Sequence, residues 1–292
     1  MCRKKEKQDY RTELEKKGEE KHFTMSDGSI VRVLDFNLAE NPHEYTFFLI
    51  PGFVTVFQSW EKITELLTPK HRVIYFESRE KCTATVSRKL ERKMTFSQLG
   101  HDIKEVVEQM GLVDQKYIAI CSSTGGTILY EALANKWLNP TGLVAIGPSM
   151  VYYIKTFITF LSRFIPNFII KHLFRPFARW YLKRVYVDEK AEPEQMIKYM
   201  RAFDEAIIKR ALVILRKMRK YDGWDLPPKI ETPSLLIGAS ADVMHAAENC
   251  KRVDSLMPNS YYVDLGTNKA AHEQPLIDEI YKLIQKIEEK KM

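Results

Sequence analysis

The pentapeptide Cys121-Ser122-Ser123-Thr124-Gly125 directly follows the apolar run Tyr117-Ile118-Ala119-Ile120 and leads into a helix-like segment from Gly126 to Trp137. A serine on a tight turn between a buried strand and a helix has its oxygen exposed, and small neighbours are needed because the backbones approach closely there. Ser123 is the candidate nucleophile, since Cys121 and Gly125 flank it at the small positions, whereas Ile120 and Thr124 would flank Ser122. An alcohol is unreactive at neutral pH without a base and a site that stabilises an anion. Asp242 is the candidate acid, because it lies just beyond the apolar run Ser234-Leu235-Leu236-Ile237-Gly238. A carboxylate there can orient an imidazole and stabilise its charged form. Metal-ligand spacing is absent, so no metal and no other cofactor is expected. Gly125-Gly126 follow a serine and lack the lysine of a phosphate-cradling loop.

The elements that must position these residues alternate along the chain. His22 to Asn37 forms two short strands around Ser26-Asp27-Gly28-Ser29, where Asp-Gly is a hairpin signal. Tyr45 to Ile50 and Val73 to Phe76 are continuous apolar runs of the kind found in buried parallel strands. Leu99, Ile103, Val106, Val107 and Met110 repeat at helical spacing until Gly111 stops them. Further strands fall at Leu143-Val144-Ala145-Ile146, Ser234 to Gly238 and Tyr261 to Leu265, and Pro275 to Lys290 closes as an amphipathic helix. The expected fold class is α/β, a mostly parallel central sheet flanked by helices.

Three segments stand apart. Residues 1–20 form a charged leader, a frayed helix or tail. Residues 21–150 and 226–292 form the core, and 151–225 form an inserted helical cap. Two apolar stripes mark the cap helices, Ile154 to Phe168 and Ile197 to Leu215.

The net charge is +7, and its excess sits in the cap, where residues 151–222 hold 16 Lys and Arg against 7 Asp and Glu. Such a surface suits an anionic substrate, a membrane or nucleic acid, or is simply a solvated helical face. Nucleic acid is not expected, because no recognisable binding module accompanies the charge. Four cysteines without paired spacing and no apolar leader fit a cytoplasmic protein.

The ordered set of landmarks resembles the α/β-hydrolase fold superfamily from about Phe23 to Ile287. Ile50-Pro51-Gly52-Phe53, with Trp60 soon after, resembles the turn after the family's third strand, with Pro51 where histidine is usual. Cys121 to Gly126 resembles the nucleophile turn. Gly238-Ala239-Ser240-Ala241-Asp242 resembles the strand end that carries the acid, and Gly266 to Pro275 resembles the histidine loop. One departure is Glu77 to Thr85, which keeps the family's acidic start after the fourth strand but has no glycine, so this loop should be shaped differently.

The resemblance implies that the backbone amides of Phe53 and Thr124 form an oxyanion hole. It also implies a histidine five residues before the glutamate that opens the last helix, which here is Asn268, or Lys269 if the loop is one residue shorter. The nearest histidine is His272. Either His272 is the base through a changed loop, or the base has been lost. His245, three residues after Asp242, can face the site from the same loop; His101 and His172 lie on the helix before the nucleophile strand and in the cap.

The first expectation is a serine hydrolase of a carboxylic ester or thioester with an apolar acyl group, because the cap is rich in aromatic and aliphatic residues. The interleaved Lys171, Arg175, Arg179, Lys183 and Arg184 suit anionic lipid headgroups. The second is a catalytically degenerate member of the fold that binds or scaffolds.

Overall fold

The computed structural model describes residues 10–154, 156, 176, 179–180, 183–184, 193–241 and 247–290. Its strands are β1 (Glu19–Thr24), β2 (Ile30–Phe36), β3 (Thr46–Ile50), β4 (Val73–Phe76), β5 (Tyr117–Ser122), β6 (Gly142–Ile146), β7 (Ser234–Gly238) and β8 (Ser260–Asp264). They form one eight-stranded sheet in the order β1-β2-β4-β3-β5-β6-β7-β8. β2 is antiparallel to β1 and to β4; the pairs from β4 through β8 are all parallel. β1 and β2 are joined through the turn at Met25–Ser29, where Gly28 supplies the positive φ of 78° that side chains resist.

The central strands read as unbroken apolar runs because both faces are covered. Every residue of β3, β4, β6 and β7 is buried. Helices α4 (Phe96–Gln109) and α5 (Thr124–Ala134) cover one face through Ile103, Val106, Ile128 and Leu129. Helices α2 (Glu61–Leu67) and α9 (Gln274–Glu288) cover the other through Ile63, Leu67, Leu276 and Ile280. α4 starts at Thr95, whose hydroxyl accepts from the Gln98 amide at 3.1 Å and satisfies one otherwise orphaned donor. The other helices of the core are α1 (Glu13–Lys17), α3 (Arg88–Glu91) and α8 (Ala247–Leu256), and α8 packs on the α4 side through Val253.

The segment between β6 and β7 contains α6 (Pro193–Glu205) and α7 (Ile208–Met218). It leaves and rejoins the sheet at one point, where Val151 bridges Asp222 and the Gly223 amide donates to the Met150 carbonyl at 2.9 Å. The first apolar stripe beyond Ile154 lies outside the described residues, as do His172, Lys171 and Arg175; Arg179, Trp180, Lys183 and Arg184 are exposed. Among the described residues no helix is long and apolar enough to cross a membrane.

The glycine-free loop after β4 departs most from an ordinary surface turn. Glu77, Ser78, Arg79, Glu80 and Lys81 are all buried. Each charge has a partner, as burial demands. Arg32 grips Glu77 with Nε and Nη2 at 2.9 and 2.8 Å, and the Thr83 hydroxyl donates to it at 2.6 Å. Arg79 holds Asp102 in the same forked way at 2.6 and 2.5 Å. Arg210 of α7 donates to the Arg79, Lys81 and Ala84 carbonyls at 3.1, 3.2 and 2.9 Å.

Burial by itself would raise the Glu77 carboxyl, but Lys81, Arg32 and Thr83 together outweigh it and bring it down to about 2. A carboxyl lowered by folding supplies stability above its ordinary value near 4.5, and that stability is lost as pH falls through about 2. Asp35, held by Arg72 and Lys21 against its own burial, acts in the same direction. Asp102 acts oppositely, since burial raises it to about 6 against the pull of Arg79, so its protonation offsets some of the loss at mildly acid pH. The urea midpoint should therefore rise somewhat as pH falls from 7 to about 5, while Asp102 takes up its proton, and fall below about pH 4.5, with Glu77 alone contributing roughly 3 kcal/mol to the fall. A midpoint unchanged between pH 5 and pH 2.5 would contradict this, as would an equally steep fall in Glu77→Gln.

Candidate active site

Parallel strands place their carboxyl ends along one edge of the sheet, and loops there carry chemistry in open α/β folds. Ser123 stands at the centre of that edge, between the last residue of β5 and the first of α5. Its backbone has φ 50° and ψ −119°, a region that side chains rarely enter. Such strain costs about 1–3 kcal/mol and persists only where the surroundings over-determine it. The surroundings here are close. A Cβ built on Gly125 would lie 2.4 Å from the Ile50 carbonyl oxygen and 2.6 Å from that of Pro51. On Gly126 it would lie 3.2 Å from Pro148 Cβ. The Ser123 amide is anchored to the Ile146 carbonyl at 3.0 Å. Ser123 begins α5 without capping it, and among the described residues its Oγ has no hydrogen-bond partner. Ser122, by contrast, is the last paired residue of β5, opposite Ile146.

The loop after β3 sits directly over this turn. A Cβ on Gly52 would fall 3.3 Å from the Ser122 carbonyl oxygen and 3.4 Å from Ser123 Cβ. Gly52–Thr55 is a tight turn closed by Thr55 N to Gly52 O at 3.2 Å, and Val54 occupies its third position with φ 56°. The Val54 amide donates to Glu80 Oε1 at 3.2 Å. The amides of Phe53 and Thr124 have no partner among the described residues. Free N–H groups at a helix start and in the apposed turn are suited to an anion.

A TM-score of 0.70 relates the chain to the enol-lactonase from Burkholderia xenovorans LB400, at 13% identity over 91% of this chain and 99% of that one. The chain has the α/β-hydrolase fold. A thermophilic esterase from Thermogutta terrifontis matches with a TM-score of 0.71 at 16% identity, over 92% and 99% of the two chains. An esterase from Exiguobacterium antarcticum matches at 0.70 and 16%, over 91% and 98%. No family model matches the sequence, and no curated protein matches it.

Of the sequence-derived site, the α/β-hydrolase fold thus brings Ser123, Thr124 and the Phe53 turn together. His272 ends a short 3₁₀ turn, Ala270–His272, in the loop after β8. Its Nδ1 lies 2.9 Å from the Asn268 carbonyl oxygen. A carbonyl only accepts, so Nδ1 carries the hydrogen and Nε2 the lone pair when the ring is neutral. The ring meets Trp60 edge-on, with centroids 6.2 Å apart, on the face covered by α2 and α9. It makes no hydrogen bond to Ser123. Asn268 is exposed, and the Lys269 side chain is 81% exposed beside Glu273 at 3.9 Å. Asp242 and His245 lie outside the described residues. His101 stacks on Trp137 at 3.8 Å, away from the turn.

The nearby residues that sequence reading missed are Val54, Glu80 and Tyr152. Tyr152 Oη lies 2.5 Å from Thr127 Oγ1 at the start of α5, and its ring packs on Phe96. The signal for Glu80 was a run of charges where the fold usually has glycines. No periodicity flags Val54 or Tyr152.

Proposed function

We propose that the chain is a serine-dependent hydrolase of carboxylic esters or thioesters with an apolar acyl group. The observation that carries this reading is the strained Ser123 backbone between the amides of Phe53 and Thr124, which have no partner among the described residues. In this reading Ser123 Oγ attacks the acyl carbon while Nε2 of His272 takes its proton. The carbonyl oxygen becomes an anion against the two amides. The tetrahedral species collapses, the alcohol or thiol leaves with that proton, and water releases the acyl group by the same steps. Asp242 is the acid that holds the imidazolium, alongside the Asn268 carbonyl on Nδ1. The half-buried Phe53 ring and Tyr152, both packed on the core beside α5, support an apolar acyl site. The hydrolase neighbours of the same fold agree with this chemistry.

A fluorophosphonate probe should label the wild type covalently, and Ser123→Ala should not be labelled. Loss of labelling in His272→Ala would assign the base. Absence of wild-type labelling, followed by labelling of Asn268→His, would overturn the hydrolase reading in favour of a member that has lost its base.

A further inference from the structure

The turn that carries the Phe53 amide is not held by its own residues. Val54 is β-branched and has φ 56°, a conformation that ordinarily belongs to glycine. Something outside the turn must impose it. Two groups from the buried loop after β4 reach it. Glu80 Oε1 accepts from the Val54 amide at 3.2 Å and from the Ser78 hydroxyl at 2.7 Å. Lys81 Nζ donates to the Thr55 carbonyl, which Tyr75 Oη also reaches at 3.3 Å. The turn is thus gripped on either side of the Val54–Thr55 peptide by one carboxylate and one ammonium, both buried.

We propose that Glu80 and Lys81 are positioning residues that fix the oxyanion turn and tie it to the inserted helices. The inference rests on the hydrolase reading of Ser123 and extends it. Capture of the Val54 amide by Glu80 leaves the Phe53 amide as a donor of the turn without a partner among the described residues. The same two residues continue into the insertion. The Ile207 amide donates to the Glu80 carbonyl at 2.8 Å, the Cys82 amide donates to the Glu205 carbonyl at 2.7 Å, and Lys81 bridges Ala206 in antiparallel register. The Glu205 carboxylate stands 3.9 Å from Lys81 Nζ. The junction between α6 and α7 and the oxyanion turn therefore lie on opposite sides of one short buried segment. A shift of α6 relative to the sheet passes to the Phe53 amide through Glu80 and Lys81.

The test compares Glu80→Gln with Glu80→Leu in the full chain. Glutamine keeps an acceptor for the Val54 amide; leucine fills similar volume without one. With a p-nitrophenyl ester, Glu80→Leu should lower kcat by about 10²-fold, as expected for a displaced oxyanion donor. KM should stay within about twofold, and Glu80→Gln should restore kcat to within about fivefold of wild type. Hydrogen exchange followed by mass spectrometry provides a readout independent of turnover. Protection of residues 50–58 should fall in Glu80→Leu and stay near wild type in Glu80→Gln. Equal behaviour of the two variants would overturn the proposal, as would unchanged protection in Glu80→Leu. A wild type without esterase activity but with that exchange pattern would sink the hydrolase reading and leave the positioning role standing.

Discussion

Ser123→Ala should lower ester turnover by roughly 10⁴- to 10⁶-fold while the protein remains folded. The size follows from the role, since a covalent nucleophile cannot be replaced by its neighbours. Ser122 is fixed in β5, with its backbone paired to β6. Thr124 is buried in the first turn of α5. The residual rate would come from water held against the two amides. A glycine at the same position separates chemistry from strain. At φ 50° and ψ −119° an alanine keeps the steric cost of the serine, whereas glycine does not. Glycine loses up to about 1 kcal/mol through the entropy of its unfolded state, so the net gain is modest. Ser123→Gly should still melt above Ser123→Ala, by roughly 2 °C or more. Both variants should be equally inactive. Turnover by Ser123→Ala within tenfold of wild type would remove Ser123 from the chemistry. A glycine variant melting below the alanine variant would show that the backbone at this turn is not strained.

The central sheet and the serine turn were legible because their causes are local. A strand covered on both faces must be apolar throughout, so Val73–Phe76 and Ser234–Gly238 announce themselves residue by residue. A turn that passes within contact of another backbone must be small, so Gly125 and Gly126 mark it. Other features depend on partners far away in the chain. Ile197 to Leu215 reads as one helical stripe, yet the structure breaks it between Glu205 and Ile208, where the backbone turns aside to bridge Lys81. The charged residues at 10–17 read as a leader, yet Glu15 is buried under Arg201. In the run Glu77 to Lys81 the composition suggests solvent exposure; only the pairing with Arg32, Asp102, Val54 and Thr55 explains its burial. The base lay at the limit of sequence reading for a similar reason. Which of Asn268, Lys269 and His272 faces the serine depends on the path of a loop that no periodicity governs.

Arg201→Met should destabilise the protein by about 3–5 kcal/mol, far more than loss of a surface ion pair. Arg201 lies on α6 and is buried. Its Nη1 and Nη2 fork onto the Glu15 carboxylate at 2.6 and 2.7 Å, and Nε reaches Glu205 at 2.6 Å. Nη1 also donates to the Tyr10 carbonyl at 3.2 Å. Glu15 has no exposed side-chain surface, and its other cationic neighbour, Arg32, stands 3.9 Å away and is committed to Glu77. Methionine would leave that carboxylate buried without its forked partner, and the cost is that of an uncompensated charge rather than of a lost contact. The double variant Arg201→Met with Glu15→Leu removes both charges and should recover a large part of the loss. Lys62→Met, which breaks an exposed pair with Glu65, provides the scale and should leave the urea midpoint close to that of the wild type. Because Arg201 joins α1 to α6, hydrogen exchange at residues 10–18 should accelerate in the single variant before the sheet responds. A loss no greater than that of Lys62→Met would mean that the buried pair contributes nothing beyond a surface one. A double variant as unstable as the single would place the cost in lost packing instead of stranded charge. If both expectations hold, the charged N-terminal residues are part of what keeps α6, and with it the Glu205–Lys81 contact, in place against the oxyanion turn.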